Sequence, residues 1–101
     1  MFKVFFEETS FREFGKLEKS IKNQIKKKVR KLEKKPELGK PLRNSNFWSL
    51  RVGNYRVIYE IIRESKKIII LAVKHRKNVY TDFDKLLFLF FLLANPNTSY
   101  S

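Results

Sequence analysis

The sequence predicts an α+β fold with the element order β-α-α-β-β-β-α. Two N-terminal helices pack on one face of a small, mostly antiparallel sheet, and a further helix closes the chain. Three observations predict it. Residues 47–60 read as a hairpin about Gly53-Asn54, residues 10–35 carry apolar side chains at helical spacing, and Ile68 to Val73 is an unbroken apolar run bounded by charge.

Phe2 to Phe6 is short, apolar and aromatic, and suits a first strand. Ser10 with Glu13 three residues on is a capping-box signal, followed by Phe11, Phe14 and Leu17; Gly15 marks a bend near the end of that helix. In the second helix Ile21, Ile25, Val29 and Leu32 form one apolar stripe, and Pro36 ends it. Pro36 to Asn46 reads as a connecting loop. In the hairpin, Val52 faces Tyr55, Arg51 faces Arg56, Leu50 faces Val57 and Trp48 faces Tyr59. Trp48, Leu50, Val52, Tyr55, Val57 and Tyr59 then share a core face. Ser49, Arg51, Arg56 and Ile58 share the other, which the helices leave partly open. A turn at Glu64-Ser65-Lys66-Lys67 leads to the strand Ile68 to Val73, read as buried on both faces, and Lys74 to Asn78 closes it. Val79 to Ala94 reads as a last helix with Asp82 and Asp84 in its first turn, where the helix dipole favours them. Residues 1–94 form a single domain and 95–101 a frayed polar tail.

A chain of 101 residues has room for one modest core. Its formal charge of +13 is far from ordinary, and such a field attracts polyanions. From Lys16 to Lys35 there are ten basic and two acidic residues, net +8 of that +13. Nucleic acid, a ribosome or an anionic membrane surface is the partner class that this implies; Lys22, Lys26, Lys27, Arg30, Lys31 and Lys34 are candidates for contact with phosphate backbones, as are Arg43, Ser49, Lys74 and Lys77 elsewhere. The absence of cysteine excludes disulfides and thiolate metal sites and fits a reducing cytoplasm. Charge arrives too early for a secretory segment, and the nine apolar residues Leu86 to Ala94 fall short of the ~20 a spanning helix needs. Neither a metal nor an organic cofactor is expected.

The opposition of Arg51 and Arg56 has no packing rationale, because like charges across a strand pair repel; either the charges splay into water or an anion belongs between them. With the turn at Glu64 to Lys67, Arg56 lies opposite His75, and Arg51, Arg56 and His75 form one row, with Arg76 at its end and Tyr80 a turn beyond. A turn slipped by one residue brings Lys74 to that place instead.

Three segments carry a resemblance: Leu42-Arg43, then Gly53-Asn54-Tyr55-Arg56-Val57-Ile58-Tyr59, then His75-Arg76-Lys77-Asn78-Val79-Tyr80. In this order and spacing they resemble the RelE/ParE toxin superfamily, over roughly residues 2–85. The resemblance implies a bacterial or archaeal toxin of a type II toxin-antitoxin system, closest to the RelE-type interferases, which cut messenger RNA in the ribosomal A site. It implies phosphate and transition-state binding by Arg56 and Arg76. Tyr80 would orient the 2′-hydroxyl or stack on a base, and Arg51 would be a further cation. Ser49 falls where the best-known members have a lysine, so the pattern does not assign the general base. The implied partners are ribosome, messenger RNA and a cognate antitoxin. The antitoxin would be an extended or helical chain covering the sheet face and the last helix, and a heterotetramer is one such assembly. The apolar run Leu86 to Ala94 is a surface for that partner, for a second copy of the chain, or for the core.

The chemistry is coherent without the family. Metal-free RNA cleavage activates a 2′-hydroxyl, stabilises a pentacoordinate phosphate and protonates the departing 5′-oxygen. Preorganised cations meet the second need. An imidazole serves either proton transfer, but one histidine cannot serve both, so Tyr80, an arginine-perturbed group or the ribosome must share. Two other functions fit the same charge: a sister toxin of this fold that poisons DNA gyrase, and a non-catalytic nucleic-acid-binding module.

Overall fold

The computed structural model of the chain describes residues 1–77. The helix expected over 79–94, the tail 95–101 and Tyr80 lie outside the described residues. Among those described, the elements run β1 (Lys3–Phe6), α1 (Glu8–Gly15), α2 (Lys19–Lys31), a 3-10 turn (Pro36–Leu38), β2 (Lys40–Pro41), β3 (Phe47–Val52), β4 (Tyr55–Ile62) and β5 (Lys67–His75). The five strands form one mixed sheet in the order β1-β5-β4-β3-β2, with β1 parallel to β5 and the other neighbours antiparallel.

The apolar stripe of α2 does what its spacing requires. Ile25, Val29 and Leu32 are buried, and Ile21 packs at their margin. They meet Phe14 of α1 and the sheet face formed by Leu50, Val52, Val57, Tyr59, Ile68, Ile70 and Val73. Helix α2 stops at Lys31, before Pro36, with Leu32 as its C-cap. Helix α1 begins earlier than the capping-box reading has it: Glu7 is the N-cap and its carboxylate accepts from the Thr9 amide. Ser10 lies inside the helix, fully buried, with its hydroxyl 2.7 Å from the carbonyls of both Glu7 and Ile70. A hydroxyl that fastens helix to strand in the interior is worth more there than at an exposed cap.

The connector after α2 is not the plain loop expected. It holds the 3-10 turn and adds a fifth strand, β2, on the sheet edge beside β3. Pro41 sits there without cost, since an edge strand has one side that needs no N–H. Tyr59 holds this connector from beneath: its hydroxyl donates to the Pro36 carbonyl at 2.6 Å and accepts from the Gly39 amide at 3.0 Å. Gly39 is irreplaceable for lack of room, as a Cβ there would come within 2.6 Å of the Ser49 carbonyl oxygen.

Candidate functional site

The β3–β4 pairing has the register expected: Trp48 faces Tyr59, Leu50 faces Val57, Arg51 faces Arg56 and Val52 faces Tyr55. Of the two residues of this turn only Gly53 adopts positive φ, at +59°, which is the pattern of a type II′ turn with glycine first. Directly opposed residues share a face, so Arg51 and Arg56 stand together on the face opposite the core residues Leu50, Val52 and Val57.

The β4–β5 register differs from the expected one. The turn spans Arg63 to Lys66, with the Lys66 amide donating to the Arg63 carbonyl at 3.2 Å and φ of +52° at Lys66. Ile62 is thus paired with Lys67. A bulge then intervenes, since Tyr59 faces Ile70 but Ile58 faces Ala72, leaving Leu71 as the additional residue. Beyond it Val57 faces Val73, Arg56 faces Lys74 and Tyr55 faces His75. The third member of the row is therefore Lys74 and not His75. Without the extra residue Arg56 would face Val73, so the bulge itself brings a lysine beside the arginines.

His75 points with Tyr55 toward the helix side. Its ring meets Tyr55 edge-on, with centroids 5.1 Å apart, and its Nδ1 accepts from the Lys77 amide at 3.2 Å. The imidazole thus caps the end of β5. Arg76 is exposed, and its amide donates to the Asn54 carbonyl at 2.7 Å, which ties it to the hairpin turn at the end of the row. Arg51, Arg56 and Lys74 occupy three adjacent strands, a span of about 10 Å at ordinary strand spacing.

The rest of that face is less open than expected. Ser49 is 7% exposed, Ile58 2% and Ala72 1%, so the accessible part is confined to the hairpin end. Ser49 is packed rather than presented. Arg51 is exposed and its Nε donates to the Gly53 carbonyl at 3.4 Å; Arg56 and Lys74 are half-buried. Lys74 forms an ion pair with Glu13 of α1. Nearby, Glu60 lies between Phe47 and Ile69, and burial pushes its carboxyl above the ordinary range.

Of the cations expected on α2, Lys26, Lys27, Arg30 and Lys31 are exposed, as is Lys34 just beyond it, while Lys22 is half-buried near the Gly15 carbonyl. Arg43 and Lys77 are exposed, in the β2–β3 connection and after β5 respectively. Lys28 belongs with them more closely than its place in a lysine run suggests. Its Nζ donates to the Arg51 carbonyl at 3.5 Å, joining α2 to the row. Nothing in its local sequence sets it apart, because the contact depends on how α2 crosses β3. Among the described residues no three His, Cys, Asp or Glu side chains are grouped to hold a metal, and no helix is long and apolar enough to cross a membrane.

A family profile described as the ParE toxin of type II toxin-antitoxin systems, parDE, matches residues 7–80. The chain belongs to the RelE/ParE toxin superfamily. It is a toxin of the type II toxin-antitoxin class. A curated RelE-like toxin protein of Escherichia coli is 29% identical over 85 residues, covering 78% of this chain and 90% of that protein. Among solved structures, the isolated E. coli RelE toxin superposes with a TM-score of 0.69 at 26% identity, over 86% of this chain and 99% of that one. The toxin in the RelBE toxin-antitoxin complex of Mycobacterium tuberculosis gives 0.69 at 33% identity, over 73% and 96%. An archaeal relative, from the RelB-RelE antitoxin-toxin complex of Methanococcus jannaschii, gives 0.65 at 27% identity, over 79% and 99%. Two of these relatives were thus crystallised with RelB antitoxins.

Proposed function

We propose that this RelE/ParE-superfamily chain is a ribosome-dependent endoribonuclease that cuts messenger RNA in the A site without a metal. The single observation that carries the reading is the row Arg51, Arg56, Lys74 across three strands, closed at one end by Arg76. Glu13 offsets Lys74, but Arg51 and Arg56 stand directly opposed, and a phosphate between them would relieve that repulsion. The reaction needs that arrangement: the 2′-oxygen attacks the adjacent phosphorus while the bond from phosphorus to the 5′-oxygen breaks. The 2′-hydroxyl proton goes to a base, the departing 5′-oxygen gains a proton, and a 2′,3′-cyclic phosphate remains. Arg56 and Arg51 hold the phosphoryl oxygens as negative charge builds. Lys74 lies on the same row with ammonium protons to offer the leaving oxygen. Tyr80 keeps the role implied by the family pattern, against the 2′-hydroxyl or a base, and His75 supports the end of β5 without meeting the phosphate. The exposed cations of α2, with Arg43 and Lys77, gather the ribosome's RNA by long-range attraction.

The partners on this reading are ribosome, messenger RNA and a cognate antitoxin of the RelB kind. A second reading follows from the ParE description of the matching profile: a sister toxin that poisons DNA gyrase. Expression of the wild type and of Arg56→Ala, with mapping of mRNA 5′ ends, separates the two. Codon-phased cuts that vanish in the variant support the ribonuclease. DNA double-strand breaks with intact mRNA point to gyrase, and salt-sensitive RNA binding by both proteins without toxicity points to a passive binding module.

A further inference from the structure

One carboxylate is built into the flank of the cation row. Helix α1 runs beside the half of β5 that β1 does not cover: β1 pairs only with Lys67 to Ile70, the Ser10 hydroxyl holds to Ile70, and Glu13 reaches Lys74. Ser10, three residues before Glu13 and so its neighbour on the helix surface, is fully buried and immobilised. Its ion pair with Lys74 is partly enclosed, each side chain being 26% exposed. The Arg63–Glu37 pair at the far turn is open by comparison, at 59% and 49%. Solvent therefore screens the Glu13 pair less.

A lysine carries a point charge on a long, freely rotating stem, unlike the planar fork of an arginine. Beside two arginines such a stem is held in place only by the contacts it makes, and its pair with Glu13 is one of them. Resting on the reading of Lys74 as part of the catalytic row, we infer that Glu13 is a positioning residue for RNA cleavage. It touches no phosphate; it restrains the ammonium of Lys74, the strand partner of Arg56, before the substrate arrives, so that the reaction has less of that side chain to order. An ammonium has three N–H donors, so engaging a carboxylate and facing a phosphodiester are compatible.

The test uses the purified full chain on ribosomes programmed with messenger RNA, with Glu13→Gln, Lys74→Ala and the double variant compared under single-turnover conditions. Glu13→Gln is expected to lower kcat roughly 10- to 100-fold. The half-saturating ribosome concentration should stay within about twofold, because a group acting only in the chemical step leaves binding alone. In the Lys74→Ala background the same substitution is expected to cost nothing further. An equal loss in both backgrounds means that Glu13 acts through fold stability, and overturns the assignment. So does an unchanged or raised kcat in Glu13→Gln, which would make the carboxylate a bystander or a competitor of the phosphate. A wild-type chain that leaves ribosome-bound mRNA intact overturns the ribonuclease reading itself, and this assignment with it.

Discussion

The two faces of the β3–β4 hairpin differ by one residue in strand phase and by almost everything in chemistry. One carries Leu50, Val52, Val57 and Tyr59, all buried against the helices, with Trp48 stacked on Tyr59 at a centroid distance of 6.3 Å. The other carries Arg51 and Arg56, opposed as like charges. The first face holds the fold together, and the second sets two like charges opposite each other, which is locally destabilising. Stability and activity should therefore separate cleanly between neighbouring residues.

The largest effect that sharpens the contrast lies on the core face. Leu50→Ala should cost about 2–5 kcal/mol in denaturant unfolding, as truncation in a filled core does. The protein that remains folded should cleave at its usual rate. Arg56→Ala should do the reverse, losing about 2–4 kcal/mol of transition-state stabilisation in single-turnover cleavage, on the scale of one oxyanion-type donor. Its melting temperature should stay level or rise, and a variant that unfolds would break the comparison. Tyr59→Phe, at the centre of the core face, should cost about 1–3 kcal/mol by leaving the Pro36 carbonyl and the Gly39 amide without their partner. Faster hydrogen exchange at the Gly39 amide would show it directly.

The smallest effect belongs to Glu60, on the Arg56 face, whose carboxyl is raised by burial. A raised folded-state value means that the protonated form is favoured in the fold. Its contribution is fully present below the ordinary glutamate pKa of ~4.3 and is lost as pH rises through the higher folded value. At neutral pH the fold thus carries a partly desolvated carboxylate. Glu60→Gln should raise the melting temperature slightly at pH 7 and flatten its decline between mild acid and neutrality. A variant that melts lower at pH 7 would assign Glu60 a charge partner instead.

Much of this arrangement is legible in the sequence where alternation is intact. From Trp48 to Val57 apolar and polar residues alternate about Gly53-Asn54, so the pairing of Arg51 with Arg56 follows from the letters alone. From Ile68 to Val73 every residue is apolar, and an unbroken run carries no phase. The run conceals a change of parity: Ile68 and Ile70 face the core before the bulge, Val73 after it. That is why the sequence reading places His75 opposite Arg56 and the structure places Lys74 there. The α1 cap is misread for a related reason. Ser10 and Glu7 are both competent caps, and only the approach of β5 decides that the serine hydroxyl is engaged in the interior. The short strand β2 has no signature of its own, since two residues with a proline look like loop until an edge accepts them.

The phenol of Tyr59 has a wider reach than its place in the core suggests. By gripping Pro36 and Gly39 it moors the span that carries the chain from the lysine-studded helix to the strand bearing Arg51. Together with the packing of Ile25, Val29 and Leu32 on the sheet, this mooring fixes the gap between the basic ridge and the row of three cations. A nucleic acid draped over both would find its two footholds at a fixed stride, and lengthening that span by a residue or two would change the stride while leaving every charge in place.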